Sequence, residues 1–352
     1  MILRMILMNM KKPKARTVWE KRMEIQEKDV QRINKQYAKR IDQYLLEYRY
    51  ELKREIEVFY ARYSTDHKIT MAEARKYLNN DELEEFKNVT LEKYKQLVLD
   101  KDIPTSKIDA LAYRHRISRK RALITEINRL TDELYENRNG IKKTVELNLA
   151  DVFLNSSINI AESFAIDGIV EKPILSTEIV KHKLNNVWCE KKFFTRLEKH
   201  QRQFKLELDK VLTEGFIKGT PMPEMIENLM KMTDLPAKRA ETLVRTEATF
   251  FNNLANIDQI RELGGKKYRI LAVIDSRTSK VCRYQNNKEY FAYSFEPRDN
   301  APPFHPKCRS TIVPVIEERM ELEHKKGNKS VKQLLKEWQK EADSIMKDLK
   351  NE

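Results

Sequence analysis

Residues 239–274 read RAETLVRTEATFFNNLANIDQIRELGGKKYRILAVI, and this stretch decides the kind of fold to expect. Leu243, Phe250, Leu254, Ile257, Ile260 and Leu263 recur at the spacing of one helical face, which predicts an amphipathic helix. Gly264 follows the last of them, where a left-handed C-cap costs least because glycine has no Cβ. The period then changes from helical to alternating. Tyr268, Ile270, Ala272 and Ile274 fall on one face of a candidate strand over 267–274. Beyond it lie Asp275-Ser276-Arg277, Cys282, an Asn286-Asn287 turn and a second strand-like run over 289–295. Then come Pro302-Pro303-Phe304-His305-Pro306-Lys307-Cys308-Arg309 and a third β-like run over 311–313 that stops at Pro314. The pattern describes a helix leading into a short antiparallel β region.

The chain around this stretch is helical by composition and by period. It has 352 residues but only 7 Gly and 11 Pro, against ordinary usage of roughly 7% and 5%. With 35% charged residues, scarce breakers point to long, surface-rich helices. Neither Gly nor Pro occurs between Lys14 and Ile103. Val30, Ile33, Tyr37, Ile41, Tyr44, Tyr48, Leu52, Ile56, Phe59 and Tyr63 step by three or four, tracing one stripe along a rod. That stripe must be buried on other helices or on another protein.

Further helices are expected over 141–164, 176–186, 194–213 (closed by Gly215), 223–232, 316–325 and 330–349. Thr70 to Glu73 and Ser330 to Gln333 both have capping-box spacing. The fold class is therefore mainly α with a small α+β C-terminal region and an elongated helical N-terminal part. Its divisions are a flexible N-terminus (1–16), a long-helix region (17–170), a helical region (171–265), a small β-rich region (266–316) and charged C-terminal helices (317–352).

Net charge is +14, a balance that favours polyanions, DNA foremost, although a Lys-rich chain is also simply soluble. Arg114, Arg116, Arg119, Lys120 and Arg121 form the densest basic cluster, readable as a solvated face or as a contact to DNA phosphates. No base-reading motif accompanies it. No apolar run approaches the ~18 residues of a membrane span, so no membrane partner is expected. Three Cys suit a reducing cytoplasm.

Cys282, His305 and Cys308, with Asp275 as a fourth ligand, could hold one structural zinc ion tetrahedrally. The alternatives are a contact or disulfide between two thiols, or buried thiols that only pack, with no cofactor at all. Asp275, Arg277, His305 and Arg309 admit a nuclease or ADP-ribosyltransferase-like reading, since a His near an acid and two Arg is compatible with phosphodiester chemistry. No P-loop, HExxH or GxSxG accompanies them, and the reading preferred here is not an enzyme. Arg245 and Glu247 are expected to anchor the helix to the β region by meeting charges such as Asp275 or Arg277.

The ordered set Arg245-Thr246-Glu247, Gly264, Asp275, Arg277, Cys282 and Pro302 through Arg309 resembles the phage minor head proteins of the Mu F-like head morphogenesis group. Ser310 stands where many members have the second Cys of a Cys-Arg-Cys close. The likeness is strong over the last third. It extends more weakly through Trp19 to Arg22, Phe59-Tyr60 and Phe193 to Leu197. It implies a minor capsid protein inside the virion head at the portal vertex, made in the host cytoplasm and acting in head morphogenesis and DNA packaging or ejection. The partners it implies are the portal protein, phage DNA held non-specifically, and the scaffold or major capsid protein.

Overall fold

The computed structural model describes residues 18–66, 123–137, 140–173, 175–186, 188, 192–217, 220, 222–315 and 330–351. Its helices are α1 (Val18–Asp66), α2 (123–136), α3 (Ile141–Ile166), α4 (Thr177–Leu184), α5 (Phe193–Ile217), α6 (Met222–Met232) and α7 (Asp234–Glu262). The β region follows as β1 (Lys267–Leu271), α8 (Lys280–Gln285), β2 (Glu289–Phe291), a 3₁₀ turn (Ala292–Ser294) and β3 (Thr311–Pro314), and the last helix is α9 (Val331–Asn351). The protein is mainly α with a small antiparallel sheet, as the sequence pattern implies. The expected flexible N-terminus at 1–16, the Thr70 capping box and the helix over 316–325 lie outside the described residues.

Two compact units are formed, one from Met1–Tyr37, Glu146–Phe193 and Thr242–Glu352, the other from Ala38–Val145 and Phe194–Glu241. In the second unit, Ile41, Leu45, Tyr48, Leu52, Ile56 and Phe59 of α1 are buried with Ile127 and Tyr135 of α2 and Phe204, Leu208 and Leu212 of α5. The predicted stripe is thus a core face, with Leu45 buried where Tyr44 was expected and Tyr44 only half-buried. Arg239 clamps Glu207 through both guanidinium nitrogens at 2.9 and 2.7 Å. Gly215 does not close α5, which runs on to Ile217. A Cβ there would meet Met225 Cε at 2.8 Å, so the glycine makes room for a side chain of α6.

The first unit contains the sheet, ordered β2-β1-β3. Gly264 ends α7 with φ 71°, the left-handed cap its position predicts. Tyr268, Ile270 and Ala272 are buried, but Ile274 is 44% exposed, because β1 ends at Leu271 opposite Thr311, the first residue of β3. The second run is also shorter than its composition suggests. Phe291 pairs with Lys267, the first residue of β1; the Ala292 amide makes one more bond, to the Lys266 carbonyl at 2.7 Å, and the chain then turns as 3₁₀. Asn287 takes φ 66° in the expected turn. On α9, the Ser330 amide donates to Gln333 Oε1 at 3.0 Å and the Gln333 amide to Ser330 Oγ at 3.3 Å, closing the capping box.

One feature of α7 organises this unit. Thr249, Asn252, Asn253 and Asn256 are buried on a face that follows helical spacing and lies against β3. Ile312 donates its amide to Asn253 Oδ1 at 2.9 Å, and Asn253 Nδ2 donates to the Ser310 carbonyl at 3.3 Å. A carboxamide bridging a carbonyl and the amide two residues on occupies the place of a neighbouring strand's peptide group. Asn252 and Asn256 each donate to Thr311 Oγ1 at 3.3 Å, and Gln26 of α1 donates to both of their oxygens at 2.9 and 2.8 Å. Burying polar groups is costly unless they are paired, and these carboxamides pair with one another and with β3.

Asn253→Ala leaves the Ile312 amide and the Ser310 carbonyl without these partners, and should cost about 1–3 kcal/mol in chemical denaturation. Asn253→Asp keeps an acceptor for Ile312 but puts a charge where the donor stood, and should cost at least as much. Wild-type stability in both variants would show that α7 does not complete the edge.

Candidate functional site

The site is assembled from three pieces of chain that meet at the amino end of β3. Cys282 enters on α8, whose N-cap Ser279 accepts the Cys282 amide at 3.1 Å. His305 and Cys308 come from one tight turn, closed by the Cys308 amide on the His305 carbonyl at 3.2 Å with Lys307 at φ 58°. Helix α7 holds this turn: Lys307 donates its amide to Thr246 Oγ1 at 3.0 Å, and Thr249 donates to the Cys308 carbonyl at 2.7 Å.

Cys282 Sγ lies 3.1 Å from His305 Nε2 and 3.7 Å from Cys308 Sγ. Cys282, His305 and Cys308 form the one cluster of potential metal ligands among the described residues, their ligating atoms all within 4.8 Å of one another. Both cysteines are buried free thiols. The Cys308 hydrogen bond pulls the Cys282 thiol well below its usual range, with Ser279, Ser310 and His305 helping, while the same contact and burial push Cys308 up. His305 Nδ1 sits 2.8 Å from the Pro306 carbonyl. A carbonyl only accepts, so Nδ1 carries a proton, and Nε2 is the nitrogen that faces the sulfurs.

Asp275 stands apart from this cluster. Arg309 grips it through both nitrogens at 2.8 and 2.7 Å, the Arg277 amide donates to Oδ1 at 2.9 Å, and Thr278 Oγ1 adds a bond at 3.1 Å. Arg309 first, and these donors with it, hold the Asp275 carboxyl well below the ordinary range. Its oxygens are committed to Arg309, which makes it a brace for the strand start and not a fourth ligand within the cluster. The Arg277 side chain is mostly exposed, with its nitrogen 3.5 Å from Asp275. The acid and His305 that the phosphodiester reading pairs thus face different partners, Arg309 and Cys282.

The Arg245-Thr246-Glu247 helix reaches other partners than its charges suggest. Glu247 accepts the Trp188 indole N–H at 2.7 Å, and Trp188 stacks on Phe250 with ring centroids 5.0 Å apart, so Trp188 is the core anchor here. The middle residue, Thr246, makes the contact to the β region, as given above. Arg245 lies in the field of Glu27, which accepts from Gln31 at 3.0 Å. Two features escape the sequence reading: the polar α7 face, whose helical spacing could have revealed it, and an exposed ledge where Phe291 and Tyr293 stack at 5.2 Å. The basic cluster at Arg114, Arg116, Arg119, Lys120 and Arg121 lies outside the described residues, as does Cys189.

Residues 207–313 match the family described as Phage Mu protein F like protein. The match takes in the end of α5, all of α6 and α7, the three cluster residues and most of β3, and it covers under a third of the chain. No curated protein and no solved structure matches. Among the described residues no helix is long and apolar enough to cross a membrane.

Burial pushes the Glu27 carboxyl up to about 7, against Gln31, Arg309 and Arg245, which lower it. The folded protein then keeps a proton that the unfolded chain loses near an ordinary carboxyl pKa of about 4.3. Stability should fall as pH rises from about 4.5 to about 7, then level off. Glu27→Gln should abolish this slope and add on the order of 2 kcal/mol at pH 8, with no gain at pH 4. Urea titrations at the two pH values test it, and equal effects at both would refute it.

Proposed function

Because residues 207–313 make this a Mu F-like phage head protein, we propose that it is a minor capsid component held at the portal vertex, on the inner side of the head. There it acts in head morphogenesis and in passage of DNA during packaging or ejection, with the portal protein as its principal partner and the scaffold or major capsid protein as further ones. The observation that carries this reading is the family match, within which the motif residues from Arg245 to Arg309 fall in order. The internal wiring of that motif set agrees with it. Thr246 and Thr249 hold α7 to the 305–308 turn, Arg309 grips Asp275 of the loop after β1, and Glu247 fixes Trp188, the work of a scaffold.

The protein should appear by mass spectrometry in purified heads and co-purify with the portal protein. Its absence from both finished heads and portal-containing assembly intermediates would contradict the assignment.

Contact with DNA belongs to the same reading. A net charge of +14 suits a protein lying beside a packed genome that it must touch without gripping any site. Binding should be independent of sequence and steeply dependent on salt, with a log–log slope of roughly −4 for about 4–5 phosphates engaged. Replacing Arg116, Arg119, Lys120 and Arg121 with Gln should flatten that slope and leave helicity unchanged. No retardation of duplex DNA at about 50 mM salt would leave the charge to solubility or to an acidic protein surface.

A further inference from the structure

We propose that this protein binds one zinc ion through Cys282 Sγ, Cys308 Sγ and His305 Nε2, as a cross-link between α8 and the 305–308 turn. The first support is distance. Zinc–sulfur bonds of about 2.3 Å at a tetrahedral angle set two sulfurs about 3.8 Å apart. Cys282 and Cys308 stand 3.7 Å apart. A disulfide needs about 2.05 Å, so the sulfurs sit at the separation of co-ligands and not of a bond. The Cys282–His305 separation of 3.1 Å is somewhat shorter than the ~3.5 Å edge of such a site, and a small rotation of the ring opens it.

The second support is how the ligands are held. The Pro306 carbonyl fixes the His305 tautomer from behind, the arrangement that aims an imidazole lone pair at a metal. The Ser279 cap sets Cys282, and Thr249 with Thr246 sets the turn bearing Cys308. Donor chemistry then selects the ion: two thiolates and an imidazole suit zinc and disfavour magnesium, calcium or manganese. Binding releases the thiol protons.

The third support is need. Few large apolar side chains are buried in 267–313, chiefly Tyr268, Ile270, Phe304, Ile312 and Val313, and a metal joins segments that this small core holds weakly. Cys282 and Cys308 are 3% and 2% exposed, so the ion would be largely enclosed, in keeping with a structural role. The fourth position falls to water or to Ser310, a buried residue whose side chain bonds the Cys282 sulfur. Asp275 does not serve, since Arg309 holds both its oxygens.

The test uses the full chain, purified under reducing conditions without chelator or metal-affinity resin. Elemental analysis should give one zinc per chain, and Cys282→Ser, Cys308→Ser and His305→Gln should each remove most of it. Cobalt is the spectroscopic probe: the wild-type protein should show thiolate-to-cobalt charge transfer of two-sulfur intensity. Ser310→Cys, with its fold checked by circular dichroism, should raise that intensity by half and slow zinc loss to a chelator by about tenfold or more. Folded wild-type protein with no stoichiometric zinc and no cobalt spectrum would overturn the proposal. So would zinc that survives the Cys282→Ser/Cys308→Ser double variant, or recovery of the two cysteines as a disulfide from the reduced preparation.

Discussion

The outer edge of β3 is the constraint on which the Mu F-like region depends. With the order β2-β1-β3, one side of β3 has no strand beside it among the described residues, yet that side is buried under α7. Buried peptide groups without partners are costly, and an open edge invites pairing with another chain. The Asn253 carboxamide answers both by offering one acceptor to Ile312 and one donor to Ser310. A helix is thereby fused to a sheet by hydrogen bonds as directional as those within the sheet itself. Thr249 extends the contact to Cys308, and Asn252 and Asn256 extend it to the Thr311 hydroxyl.

The motif residues take on meaning from this fusion. Thr246 and Thr249 place the 305–308 turn, and that turn places His305 and Cys308 against Cys282. The Asp275–Arg309 fork ties the start of the loop after β1 to the residue that leads into β3. Glu247 points the other way, into the Trp188 indole, and secures the helix on its far side. Thr246, Glu247, Thr249, Asp275 and Arg309 are thus joints between segments of this unit.

Much of this was legible because it is local. The α7 face, the Gly264 cap, the Asn287 turn and the Ser330–Gln333 box are each set within four residues of sequence, and all stand in the structure. What was not legible depends on partners far along the chain. Strand lengths follow from where Lys267 meets Phe291 and Leu271 meets Thr311, and no propensity encodes that register. The Asp275 partner is 34 residues away, and the Glu247 partner is a tryptophan that offered no charge to look for. Gly215 looked like a stop signal but is a vacancy for Met225. The polar α7 stripe was written in the sequence at helical spacing, but Asn on a helix reads as a solvated face until something is seen to cover it.

Hydrogen exchange at the Ile312 amide tests this account most directly. It faces away from β1, and its partner is the Asn253 side chain, whereas the Ile270 amide is bonded to the Lys288 carbonyl inside the sheet region. If α7 completes the edge, the two amides should exchange at comparably slow rates in the native protein. An Ile312 amide that exchanges like an exposed strand edge, while Ile270 stays protected, would contradict it.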